Sequence, residues 1–212
     1  HGPQSRQVIE RVIALPSQLS ARVVALRGNH EDSWLRVVDG GFMEFVLPRG
    51  NGCFEALRSY DGGPMPEDDE APSVDEIKRM FEGSFLPASH VAFLRSLPYF
   101  YEDEHAIYVH GGIPERDGVF PHTSEVKPPV ALCWCRDKAF FNDYRGKLVV
   151  FGHTATKFLP PELSSYTPED PTDLWAGPSC AGIDTRCGKG GFLTALELPS
   201  RLVYESHHAL ED

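Results

Sequence analysis

The stretch "VVALRGNHEDSW" (residues 23–34) decides how this chain is read. Val23, Val24, Ala25 and Leu26 form an apolar run of the kind that makes a short buried strand. The run ends in Arg27-Gly28-Asn29-His30-Glu31, which sets an amide, an imidazole and a carboxylate side by side. The reading predicts a strand over 21–26 with this polar cluster just past its carboxyl end. Two later segments share the grammar: "AIYVHGG" (106–112) runs into His110, and "KLVVFGH" (147–153) runs into His153. Gly28, Gly111, Gly112 and Gly152 flank these side chains and let backbone approach closely. Carboxyl ends of strands are where open α/β sheets gather ligand sites. Neutral imidazole nitrogens and an amide oxygen suit a divalent ion such as Mn, Fe or Zn. Asn29, His30, His110 and His153 are therefore the side chains able to contact a metal.

Outward from these strands, "QSRQVIERVIAL" (4–15) carries apolar residues at helical spacing behind Pro3, with Pro16 expected to close the helix. A helix leading into a buried strand is half of a βαβ unit, so an earlier strand is expected. The segment Trp34–Val46 reads as helical at its start. Residues 48–72 are rich in Gly and Pro and read as a loop, within a 48–85 insertion or lid. Helices are predicted over Val74–Glu82 and Ala88–Ser96. "YFYED" and "AIYVHGG" read as paired strands around a turn at Asp103–Glu104, and "VALCW" (130–134) as a further strand that would put Cys133 and Cys135 on one face. Residues 114–129 read as irregular and 159–180 as a loop rich in Pro and Ser. The tail reads as two or three paired strands with a turn at Pro199–Ser200. Helix–strand alternation early and strand pairing late predict an α/β sandwich with a mixed sheet, in one domain over 1–212.

Composition narrows the function classes. The chain has 212 residues and a net charge of −11, which argues against a surface built for nucleic-acid phosphates. Residues 61–82 hold eight acids against Lys78 and Arg79, a solvated loop by its composition. The five cysteines are odd in number and contain no CxxC pair, which favours free thiols in a reducing compartment. No apolar run approaches a membrane span and no signal-peptide pattern opens the chain, so a cytoplasmic protein is expected.

"LRGNHE", "YVHGGI" and "VFGHT", in that order, resemble the phosphoprotein phosphatase branch of the calcineurin-like metallophosphoesterases. "FLRSLPYFYEDEHAIYVHGGI" looks like that family as a continuous segment, and "IDT…GGFLTALEL" is similar to its bacterial members, which include serine/threonine phosphatases and symmetric dinucleoside tetraphosphatases. The likeness extends over nearly the whole chain; 48–85 and 155–180 match poorly. It implies a four-layer α/β/β/α sandwich and a phosphoester hydrolase using hydroxide activated by two divalent ions. Asn29, His110 and His153 would bind the second ion, His30 would protonate the leaving alkoxide, and Glu31 would orient ligands. Arg136, in "CWCRD", has two readings: a bidentate phosphate grip, or a surface ion pair. The substrates implied are a phosphoprotein or a small phosphoester, with phosphoserine or phosphothreonine first and dinucleoside polyphosphate second. A nucleotide site would need aromatic platforms and cations near the metals. Arg27 reads as structural, and His105, His122 and the His207-His208 pair as loop or tail histidines.

The resemblance also implies two earlier motifs, Asp-x-His and Gly-Asp-x-x-Asp-Arg-Gly, which carry the first ion's ligands. Neither is in these 212 residues. The opening "HGPQS" looks like the remainder of the second motif, with His1 where arginine is usual. The expectation is that the missing ligands precede His1 in the intact protein. The alternative is a non-catalytic binding protein that keeps half of the site.

Overall fold

The computed structural model describes residues 2–165 and 174–207. His1, His208 and part of the expected 159–180 loop lie outside the described residues. The chain divides into two compact units, one of residues 1–25 and 30–97, the other of residues 26–29 and 98–212.

In the first unit, α1 (Ser5–Gln18) runs through Pro16 instead of stopping before it. Proline in the last turn forfeits its own N–H bond, but the Leu19 N–H still reaches the Leu15 carbonyl at 3.0 Å and closes the helix. Next come α2 (Asn29–Gly40), whose first residue Asn29 counts with the second unit, and α3 (Met43–Val46). The helix α2 begins at Asn29, so "GNHE" opens a helix directly.

The loop reading of 48–72 is corrected by α4 (Cys53–Asp61), whose Cys53, Phe54, Leu57 and Tyr60 are buried at helical spacing. Leu57 is 0% exposed and packs with Trp34, Val37, Phe45, Met80 and Phe85. Trp34 meets Phe45 and Phe85 edge-on at 5.3 and 5.0 Å, the geometry that aromatic quadrupoles prefer.

Two helices complete this unit, α5 (Val74–Glu82) and α6 (Ala88–Ser96), as the sequence predicts. A capping box starts α5, with Ser73 and Glu76 satisfying each other's backbone N–H groups. Six of the eight acids in 61–82 are exposed, as the composition implies, and Glu70 and Glu76 are half-buried. Arg58 lies between Glu70 and Glu76, at 2.7 Å from the latter, and Arg79 grips Asp61 at 2.6 Å.

The expected strand over 21–26 is not in any β-ladder among the described residues. Val23–Leu26 is half-buried. An apolar run becomes a strand only where a neighbouring backbone pairs with it in register. At the end of this run the Arg27 N–H donates to the Pro98 carbonyl at 2.9 Å.

The second unit is built on a five-stranded mixed sheet. Its strands are β1 (Phe100–Glu102), β2 (Ile107–Val109), β3 (Val149–Phe151), β4 (Trp175–Ala176) and β5 (Cys180–Gly182), in the order β1-β2-β3-β5-β4. The central three are parallel, and the edge strands β1 and β4 pair antiparallel. A separate hairpin joins β6 (Thr194–Leu196) to β7 (Val203–Glu205).

Side chains alternate across the sheet as the strand period requires. Ile107, Val109, Val149, Phe151 and Cys180 pack into a large cluster with Phe140, Phe141 and Trp175. Ala106, Val150 and Ala181 belong to a second cluster that includes Leu196 and Leu198. The apolar runs around His110 and His153 thus form the strands expected of them.

"VALCW" does not. It forms the one-turn helix α7 (Ala131–Trp134), followed by α8 (Lys138–Asp143). Short apolar runs fit either structure by pattern, and here the Leu132 carbonyl accepts the Gly111 and Gly112 N–H groups, fixing the turn against the end of β2. Cys133 and Cys135 therefore share no strand face, although both are buried. All five cysteines are free, and only Cys187 is exposed. Among the described residues no helix is long and apolar enough to cross a membrane.

Candidate metal centre

Strands β2 and β3 are parallel neighbours, so the residues that follow them emerge at the same edge of the sheet. The ladder extends one step beyond the strands, where the Gly152 N–H donates to the His110 carbonyl at 2.9 Å. His110 and His153 come together there, with ring centroids 5.0 Å apart and planes inclined at 52°. His153 has φ of 67°, a left-handed conformation uncommon for a residue with a Cβ. The Thr154 N–H donates to the Gly152 carbonyl at 2.7 Å and holds this sharp turn. Such strain persists where surrounding structure imposes it, and it concentrates at functional sites.

Asn29 completes the group from a position 81 residues upstream of His110. Its side chain is buried, with Oδ1 2.8 Å from His110 Nε2. Gly111 is required by close packing: a Cβ there would lie 3.0 Å from the carbonyl oxygens of both Leu132 and Cys133. This fastens α7 beside the histidines. The Cys133 thiol donates to the Arg27 carbonyl at 3.1 Å, tying α7 also to the segment that carries Asn29.

Burial, then the nearby His110 and Arg136, push the His153 imidazole down to about 3. It is neutral at pH 7, as a metal ligand must be. Arg136 approaches it directly: Nε donates to His153 Nε2 at 2.8 Å, and Nη2 to the His153 carbonyl at 3.2 Å. The guanidinium is exposed, so it stands at the rim of the group.

The donor set fits one divalent ion. Two imidazoles and one amide oxygen are neutral donors of the right hardness, and a separation of 2.8 Å between Oδ1 and Nε2 is that of two neighbours on one ion at about 2.1 Å. Among the described residues no group of three or more His, Cys, Asp and Glu could hold a metal ion; the present group has two such residues, His110 and His153, beside Asn29.

His30 belongs to the first unit. It follows Asn29 in a helix, where successive side chains point about 100° apart. Its ring meets Phe45 edge-on at 5.3 Å and lines a pocket of about 160 Å³ with Ser5, Ile9, Trp34, Asn51 and Tyr60. Arg27 has the structural environment expected of it, over the Tyr99 ring at 4.7 Å and bonded to its hydroxyl at 2.9 Å. His122 bonds Glu102 and Ser124 on the surface.

A solved structure of a candidate diadenosine tetraphosphatase is similar to this chain, with a TM-score of 0.49 and 16% identity over 96% of this chain and 74% of that one. No family model and no curated protein matches the sequence.

One neighbour of the centre escaped the sequence reading. Trp134 meets the His153 ring at 6.0 Å and 82° while remaining 43% exposed. Taken as a strand residue between two cysteines it had no functional signal. On a one-turn helix two residues before Arg136 it stands beside the histidines.

Proposed function

We propose that this protein is a metal-dependent phosphoester hydrolase of the calcineurin-like metallophosphoesterase type, with Asn29, His110 and His153 as ligands of one divalent ion. The observation that carries the reading is the convergence of Asn29 Oδ1 on His110 Nε2 at 2.8 Å, with the His153 ring 5.0 Å from that of His110. Three separated segments deliver neutral donors to one edge of a mixed sheet, the form that metal sites take on such folds. The β6–β7 hairpin, sharing an apolar cluster with the five-stranded sheet, is read as part of the second sheet of a four-layer sandwich.

A bound ion at this centre would polarise a phosphoryl oxygen as a Lewis acid. The chain's own contributions follow from chemistry. As the structure stands, His110 Nε2 donates to Asn29 Oδ1, so a bound ion would replace this hydrogen bond and the imidazole proton would move to Nδ1. Arg136, with a planar fork and an exposed guanidinium, can leave His153 and take two phosphate oxygens. His30 is assigned the proton for the leaving oxygen, a role that asks for an imidazole titrating near neutrality. A second ion, Mn, Fe or Zn, is part of this reading, with donors beyond those described. The substrates proposed are phosphomonoesters, on a phosphoprotein or a small molecule.

Turnover tests the reading. With Mn²⁺ the protein should release phosphate from phenyl phosphate, a chelator should stop it, and His110→Ala and His153→Ala should each abolish it. Hydrolysis that ignores the chelator and both substitutions would remove the centre from the chemistry. No turnover with any divalent ion would leave a phosphoester-binding protein instead of an enzyme.

A further inference from the structure

We propose that Trp134 determines specificity by stacking on a planar ring carried by the phosphoester substrate; this rests on the phosphoester reading of the Asn29–His110–His153 centre. The chain has three tryptophans, and their environments differ sharply. Trp34 and Trp175 are 8% and 4% exposed; Trp34 is wedged edge-on between phenylalanines, and the Trp175 indole N–H donates to the Pro160 carbonyl at 2.7 Å. Trp134 is 43% exposed, and its indole N–H has no partner among the described residues. It meets His153 nearly at right angles, so that contact does not use it as a stacked pair would. Among the described residues no cation lies over it.

The platform is rigid. Leu132 and Cys133, the two residues before Trp134, are 0% exposed, and the Leu132 carbonyl is held by two glycine N–H groups. A fixed aromatic ring binds at little entropic cost, because nothing has to be ordered on association. Two residues further on, Arg136 brings a guanidinium to the same histidine. An aromatic face and a cation beside a phosphate-handling centre is the combination that recognises ring-bearing phosphates, where stacking tolerates any flat ring. Phosphoserine offers no such face. The ring can belong to a nucleobase or to an aryl group, and both present the same chemistry to the indole.

Titration calorimetry on Mn²⁺-loaded protein separates the cases, with AMP, phenyl phosphate and phosphoserine as probes. At least one ring compound should bind more tightly than phosphoserine. In Trp134→Ala that advantage should shrink by roughly 5- to 150-fold, and Trp134→Phe should keep most of it. Because Trp34 and Trp175 are buried, the same ring compound should also quench the exposed emission of the wild-type protein. An advantage confined to AMP identifies a nucleobase, and one confined to phenyl phosphate an aryl group. If phosphoserine binds as well as both ring compounds, or if the advantage survives in Trp134→Ala, the inference falls and the phosphoester reading stands. If none of the three binds, the phosphoester reading itself fails and takes this inference with it.

Discussion

Removing the Arg136 guanidinium should make the protein bind a divalent ion more tightly. A neutral imidazole offers a single acceptor nitrogen, the other carrying the proton. In the structure the His153 acceptor is Nε2, and Arg136 Nε donates to it at 2.8 Å. An ion that takes His153 as a ligand must therefore displace this hydrogen bond, and the guanidinium charge opposes the approach of a cation as well. A hydrogen bond from a charged donor contributes about 1.5–3 kcal/mol. Arg136 is exposed, so solvent screening brings the figure to about 1–2 kcal/mol, or roughly 5- to 30-fold in affinity. Arg136→Met keeps the length of the side chain and removes both donor and charge. Calorimetric titration with Mn²⁺ or Zn²⁺ should show the gain, while inorganic phosphate binds the Mn²⁺-loaded variant less well. Unchanged or weaker ion binding in Arg136→Met would refute the competition and, with it, ligation through His153.

The other predictions address the remaining links in the argument. His30→Ala should slow hydrolysis of alkyl phosphates by about 10²–10⁴-fold and spare activated aryl phosphates, whose leaving group needs no proton; equal losses on both would remove the proton-donor role. Leu57→Ala should lower unfolding free energy by about 2–5 kcal/mol in denaturant melts, since Leu57 is fully buried; a loss within about 0.5 kcal/mol would return residues 53–61 to a lid. Gly111→Ala should destabilise the second unit by about 1–3 kcal/mol, because its Cβ meets two backbone carbonyls at 3.0 Å. The Ser73 N–H, the Ser73 hydroxyl and Arg58 hold Glu76 below the usual carboxylate range. Its contribution is thus complete above about pH 5 and fades as pH falls through that range. The stability gap between wild type and Glu76→Gln should accordingly be widest near neutrality and close on acidification.

What could be read from the sequence tracks how local each signal is. His110 and His153 were legible because each strand is short, apolar and ended by glycine and histidine, and parallel pairing then brings their ends together. Asn29 was legible by the same grammar, although the reason was partly wrong: it opens a helix and does not follow a paired strand. The run 23–26 has the composition of a strand, but pairing depends on a neighbour's backbone, which the run itself does not encode. The helix at 53–61 was hidden by the glycines and prolines around it, although Phe54, Leu57 and Tyr60 carry the helical period. The turn at 131–134 was ambiguous because four apolar residues fit a strand and one helical turn alike. Trp134 was missed as a consequence, since its place beside His153 follows only from that turn.

The central claim is that Asn29, His110 and His153 hold one ion together, and equilibrium dialysis against Mn²⁺ or Zn²⁺ tests it most directly. Asn29→Ala, His110→Ala and His153→Ala should each lose the same single ion relative to the wild-type protein, with folding intact by circular dichroism. Full metal occupancy in any of the three folded variants would contradict it.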